Sequence, residues 1–129
     1  LVGFLNSKKE VFEYIAPDIL EISVDIAKKI VKKEIEQNPE IILENILNVL
    51  RTISKDEARV SILVNPTQVT LTRESIPQII SAIGMEAKIN VVGDDTIETG
   101  GCILKTNNGI IDATINTQLE IIKEALKEI

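Results

Sequence analysis

Apolar residues recur at three- and four-residue steps from Ser7 to about Gln37. Phe12, Ile15, Ile19, Ile22, Ile26 and Ile30 make one row, close to a heptad seam. A second row, Leu20, Val24, Ala27, Val31 and Ile35, is read as lying beside the first, so that the apolar stripe is wider than a two-position seam. The pattern predicts a long helix, part of it packed on a domain and part facing a partner helix. A plain core helix fits the same periodicity, and the two readings stand level. Pro17 falls inside the pattern and predicts a kink or a restart, with Ala16 biased away from helix.

Further along, Asn38-Pro39 reads as an N-cap followed by proline at the first helical position. The helix after it carries Ile41, Ile42, Ile46, Leu47, Val49, Leu50 and Ile53, apolar around much of its circumference, and ends near Ser54-Lys55-Asp56. Val60 to Val64 is dense in β-branched residues and reads as a strand, closed by Asn65-Pro66, which starts a short helical turn. Thr72 is the expected cap of a helix holding Ile76, Ile79, Ile80 and Ile83 and stopping at Gly84, with Pro77 tolerated near its first turn. Ala87 to Val92 alternates as a second strand, Gly93-Asp94-Asp95 is a turn, and Thr96 to Thr99 is a loose lead-in. Gly100-Gly101-Cys102 opens a hairpin whose Asn107-Asn108-Gly109 turn is expected to use the left-handed conformation. Asp112 and Thr114 are both candidate N-caps for the closing helix, Ile115 to Ile129, with Leu119, Ile122 and Leu126 on one face. The resulting fold class is α+β: a long N-terminal stalk-like helix (residues 1–37) and a compact domain (residues 38–129) with a small mixed sheet flanked by helices.

Composition narrows the function. The 129 residues suit one compact domain plus one appended element, and 44% hydrophobic content fills a core. Aromatics are 2%, so that core is aliphatic. A net charge of −6 argues against nucleic acid as a partner, because phosphate neutralisation needs clustered Lys and Arg. The Lys8-Lys9, Lys28-Lys29 and Lys32-Lys33 pairs alternate with acids and read as a solvated face. A single cysteine fits a reducing cytoplasm, and no run approaches the length of a membrane span, so no direct membrane insertion is expected. The chain opens on Leu1 rather than Met, as a fragment of a longer protein would.

The chemistry-bearing residues resolve into structure rather than catalysis. Asp94, Asp95, Glu98 and Asp112 do not match a calcium loop, so no metal is expected. Gly100-Gly101 lacks the following Lys of a phosphate loop, so no cofactor is expected. Cys102 has no histidine to activate it anywhere in the chain and reads as a buried strand residue. Asp112 and Thr114 read as helix caps. No constellation resembles an active site, and the chain is not expected to be an enzyme.

Taken together, Gly100-Gly101-Cys102, Thr106-x-x-Gly109, Asp112-Ala113-Thr114-Ile115 and Gln118-Leu119, with Val64-Asn65-Pro66 upstream, resemble the C-terminal domain of the FliH family, which includes the type III secretion stators YscL, SctL and HrpE. The landmarks span roughly Asn38 to Ile129; the first helix matches in character only. The family is itself similar to the E subunit of V- and A-type ATPase peripheral stalks, the alternative within the same architecture; an unrecognised small-ligand module is the alternative from a different class. Gln118, Cys102 and the short step from Gly109 to Asp112 favour the secretion branch. The resemblance implies a non-catalytic stator, homodimeric through its long helix, that holds the N-terminal region of an export ATPase at the cytoplasmic base of a flagellar or injectisome machine. The family's contact surface carries no short motif; the closing helix Ile115 to Ile129, with the exposed sheet edge beside it, is the expected partner surface. Gly100, Gly101, Cys102, Gly109, Asp112 and Thr114 are expected as its structural motif.

Overall fold

A computed structural model describes the backbone of residues 2–128 and the side chains of residues 7–128. Among the described residues the elements run α1 (Val2–Gln37), α2 (Ile41–Leu50), β1 (Arg59–Val64), α3 (Val69–Ile83), β2 (Lys88–Gly93), β3 (Cys102–Thr106), β4 (Gly109–Ala113) and α4 (Ile115–Lys127), with one 3-10 turn at Pro66–Gln68. This is the expected α+β class and element order; Ile129, the expected end of the closing helix, lies outside the described residues. The sheet order is β2-β1-β3-β4: β1 and β2 are parallel, joined by the α3 crossover, and the other neighbours are antiparallel.

One face of the sheet carries the core. Val60, Ile62, Val64, Val91, Cys102 and Leu104 are buried there against Ile42, Ile46 and Leu50 of α2 and Ile76 and Ile79 of α3. Near-complete burial of each aliphatic side chain contributes about 1.5–3 kcal/mol, which is how a chain with 2% aromatics holds together. Ile97, 2% exposed, joins the buried set from the loop before Gly100, where a loose lead-in was expected.

Helix α1 departs from expectation twice. It runs through Pro17 without a restart, and Ala16 is helical. Pro17 and Glu13 are both exposed, so the carbonyl that proline leaves unpaired is open to water. The two apolar rows are also not adjacent. Val24 stands two residues from both Ile22 and Ile26, about 200° around a helix, which puts the rows on opposite sides. Val24 and Ile35 are buried, and Leu20, Ala27 and Val31 are half-buried. Phe12, Ile15, Ile19, Ile22, Ile26 and Ile30 are 42–67% exposed. Helix α4 lies antiparallel along the inner side of α1. Lys123 is ion-paired with Glu21, while Ile115 and Asn116 face Lys28, Lys29 and Lys32. That pairing lowers the Glu21 pKa and raises that of Lys123, through their hydrogen bond first and their charge second.

Two cap assignments change. Asn38 gives its side chain back to Glu34 (2.7 Å) rather than to α2, whose first N–H groups bond instead to the Asn38, Pro39 and Glu40 carbonyls. Asn65 does cap its turn, accepting from Thr67 N at 3.0 Å. Thr72 is not a cap, because α3 starts three residues earlier, at Val69. Pro77 therefore sits mid-helix, with Arg73 exposed at the turn it crowds. The hairpin turn also differs: Asn107 and Asn108 keep negative φ, and the unusual dihedral falls on Gly109, at φ 150°.

Thr72 is fully buried, and its Oγ1 has no hydrogen-bond partner. A buried hydroxyl without a partner costs about 1–3 kcal/mol, so Thr72→Val, which keeps the shape, is expected to raise stability by about 1 kcal/mol in denaturant melts. A loss instead would mean that the hydroxyl is satisfied in solution.

Candidate functional site

The glycine-cysteine segment lies where α1, α2, β3, β4 and α4 converge. Gly100 has φ 88°, and a Cβ built on it would stand 2.4 Å from Ile35 Cδ1, so the buried end of α1 occupies the space a side chain would need. Gly101 serves the other side. Its added Cβ would meet Thr114 Cα at 2.9 Å, the backbone step from β4 into α4. A flexible isoleucine tip can shift; a backbone cannot.

Amide side chains fasten this joint. Gln68, 4% exposed, accepts from Gly100 N (2.8 Å) and donates to the Pro39 carbonyl (3.3 Å). Asn45 Nδ2 donates to the carbonyls of Gly100 (2.9 Å) and Ala113 (3.0 Å). Gln118 Nε2 donates to Asn45 Oδ1 (3.2 Å) and to the Ala113 carbonyl (2.9 Å). Asn65 Nδ2 reaches the Ile97 carbonyl at 2.8 Å. Loop carbonyls and N–H groups that would otherwise be buried unpaired are satisfied in this way. Asn45 and Gln68 carry no distinctive sequence signal, since α2 also holds Glu44 and Asn48 and Gln68 lies in a short turn.

Thr114 and Asp112 divide the capping of α4. Thr114 is the N-cap, its Oγ1 accepting from Thr117 N (3.3 Å). Asp112 accepts from Thr114 N (2.9 Å) and Thr117 Oγ1 (2.9 Å). Partial burial pushes the Asp112 pKa up, and these hydrogen bonds more than offset it, leaving the carboxyl below its ordinary value. Cys102 is fully buried, and burial, with the Asp112 charge behind it, pushes its thiol up to about 12. At neutral pH it is a packed thiol, not a thiolate. Gly109 stands apart, at the far end of the hairpin, with open space around it.

Two surfaces around the joint remain open. A cleft of about 410 Å³ lies between α1 and the start of α4, lined by Lys28, Lys29, Lys32, Glu98 and Asn116 among others. On α4 no residue is buried, and Ile121, Ile122 and Leu126 are 63%, 52% and 46% exposed. No described helix is long and apolar enough to cross a membrane, and the described residues hold no cluster of three His, Cys, Asp or Glu suited to a metal ion.

These features define a class: a compact α+β head, locked by a double-glycine joint to a long helix that keeps one apolar stripe free. A family model described as flagellar assembly protein FliH matches residues 1–122, and the chain belongs to that family. It is 31% identical over 127 residues to the flagellar assembly protein FliH of Borreliella burgdorferi, covering 98% of this chain and 41% of that one. It is 35% identical over 71 residues to a type 3 secretion system stator protein of Yersinia pestis, covering 55% of this chain and 32% of the other. A probable flagellar assembly protein FliH of Bacillus subtilis is 25% identical over 134 residues, with 98% of this chain and 64% of that protein aligned. The chain thus spans less than two thirds of each of these relatives.

Gly101→Val is expected to cost at least about 2 kcal/mol in chemical denaturation, because the clash is with backbone. Cys102→Ala is expected to cost about 1 kcal/mol, and the native thiol should resist alkylation at about pH 8 until the chain unfolds. Fast labelling of the folded chain would contradict its burial. The folded Asp112 pKa lies below the unfolded one, so its stabilisation is full above the unfolded value and disappears as pH falls through the folded value. Melts between about pH 5 and pH 2 should therefore show a steeper loss for the native chain than for Asp112→Asn.

Proposed function

We propose that this chain is the ATPase-facing end of a secretion stator. In this reading it pairs with a second copy through α1, and its α+β head holds the N-terminal region of the export ATPase of a flagellar or type III secretion system, at the cytoplasmic base of the apparatus. It regulates and anchors that enzyme and carries no chemistry of its own.

The observation that carries the reading is the free stripe of α1. Six large apolar residues, Phe12 to Ile30, hold the side of the helix turned away from the head and stay 42–67% exposed along about 27 Å. Each gains on the order of 1.5–3 kcal/mol when fully buried, so a row of six at near-heptad spacing suits a matching helix. The opposite row is already taken by the head, which leaves the stripe free for pairing without unfolding anything. Membership of the FliH family, and the words "flagellar assembly" and "secretion system stator" in its relatives' names, support the same role.

Ile22→Asp with Ile26→Asp tests it. Sedimentation should find a dimer for the native chain and a monomer for the double variant, while the melting of the head stays within about 1 kcal/mol. Co-purification with the export ATPase of the same organism should depend on the head. A native chain that is monomeric, or a double variant that still dimerises, would remove pairing through α1 from the account.

A further inference from the structure

Asn108-Gly109 is the only Asn-Gly step in the chain, and every other asparagine precedes a residue that carries a side chain. The step lies at the tip of the β3–β4 hairpin, where Asn107, Asn108 and Gly109 are all exposed. A Cβ built on Gly109 would meet nothing, so the space beside its backbone is open. Thr106–Gly109 is the last pair of the β3–β4 ladder, and an end pair frays while the core stays closed.

The Asn108 side chain reaches from this turn back to the head. Its Nδ2 donates to Oε1 of Glu57, which is 8% exposed in the segment between α2 and β1. Among the described residues no other group is hydrogen-bonded to that carboxylate, and no cation is paired with it. A buried carboxylate with a single donor depends on that donor. The donor has to be an amide. An aspartate in its place has no proton to give at neutral pH and sets a like charge against Glu57.

We infer that Asn108 is a site of spontaneous covalent modification, and that Glu57 turns the modification into a loosened hairpin. The Gly109 backbone nitrogen attacks Cγ of Asn108. A new C–N bond closes a five-membered succinimide as the bond from Cγ to Nδ2 breaks. Nδ2 leaves as ammonia, taking the proton that the Gly109 nitrogen gives up. Water then opens the ring: its oxygen goes to one of the two carbonyl carbons, and a proton returns to the Gly109 nitrogen. Attack at one carbonyl leaves aspartate; attack at the other leaves isoaspartate, whose main chain runs through the former side chain. Glycine favours the first step because no Cβ crowds the attacking nitrogen. Either product replaces the donor to Glu57 by a carboxylate. Isoaspartate also lengthens the main chain at the turn and disturbs the Thr106–Gly109 pairing.

Peptide mapping of the full native chain, aged at mildly alkaline pH, tests the inference. Asn108 should convert to a mixture of isoaspartate and aspartate ahead of every other asparagine, and the aged chain should melt several degrees lower. Asn108→Asp should show a similar loss without ageing. Adding Glu57→Gln to Asn108→Asp should recover most of it, because an amide then faces the new carboxylate. Asn108→Gln should stop the conversion, since its longer side chain cannot close the five-membered ring. The mapping uses the native chain, so it holds even where a variant does not fold. An Asn108 that stays intact while a synthetic peptide of residues 104–112 converts would overturn the inference. So would a converted chain that melts like the fresh one, or an Asn108→Asp loss that Glu57→Gln leaves unchanged.

Discussion

Ile35 sits where a side chain on residue 100 would have to be, and that one exclusion fixes how the long helix meets the head. Two adjacent glycines do separate jobs. The first turns the chain through φ 88° and leaves room for the end of α1; the second lets β3 pass within backbone contact of the start of α4. Gln68, Asn45 and Gln118 then satisfy the polar backbone that this crossing buries. Backbone contact and these hydrogen bonds hold the β3–α4 crossing, while α1 meets it through the Ile35 side chain. Cys102 beside it contributes volume and no reactivity, its thiol held near 12 by burial.

From that joint the division of α1 into two faces follows. The head takes Val24 and Ile35, α4 adds the Lys123–Glu21 ion pair, and the stripe from Phe12 to Ile30 is left turned outward. An exposed salt bridge adds little energy, so the orientation depends on the buried rows and the glycine joint. In the proposed role, load passes from the pairing helix to the docking head through the buried rows and the glycine joint.

How much of this could be read from the chain depended on how local each signal is. The β-branched run of β1, the Asn65-Pro66 stop and the Gly84 helix end are decided by a few neighbouring residues, and they appear where expected. The two apolar rows of α1 are visible in the sequence, and their two-residue offset, about 200° of helix, sets them on opposite sides rather than side by side. Pro17 does not restart the helix, and the Glu13 carbonyl that it leaves unpaired is open to water. Thr72 and Asn38 look like caps in isolation, and tertiary packing moved both helix starts away from them. The Gly100-Gly101 pair was recognisable as backbone architecture. What it admits, Ile35 from sixty-five residues away and Thr114 from the next hairpin strand's end, is a matter of packing that no local pattern carries. Asn45 and Gln68 were missed for the same reason: their partners are distant in sequence.

The central claim is that the side of α1 opposite the head is a pairing surface. Disulfide trapping at Ile22→Cys, in a Cys102→Ala background, addresses it most directly. Under mild oxidation the Ile22→Cys chain is expected to cross-link to twice its mass, while Lys28→Cys, on the flank that faces α4, does not. Retention of monomeric mass by Ile22→Cys, or equal cross-linking at Lys28→Cys, would contradict it.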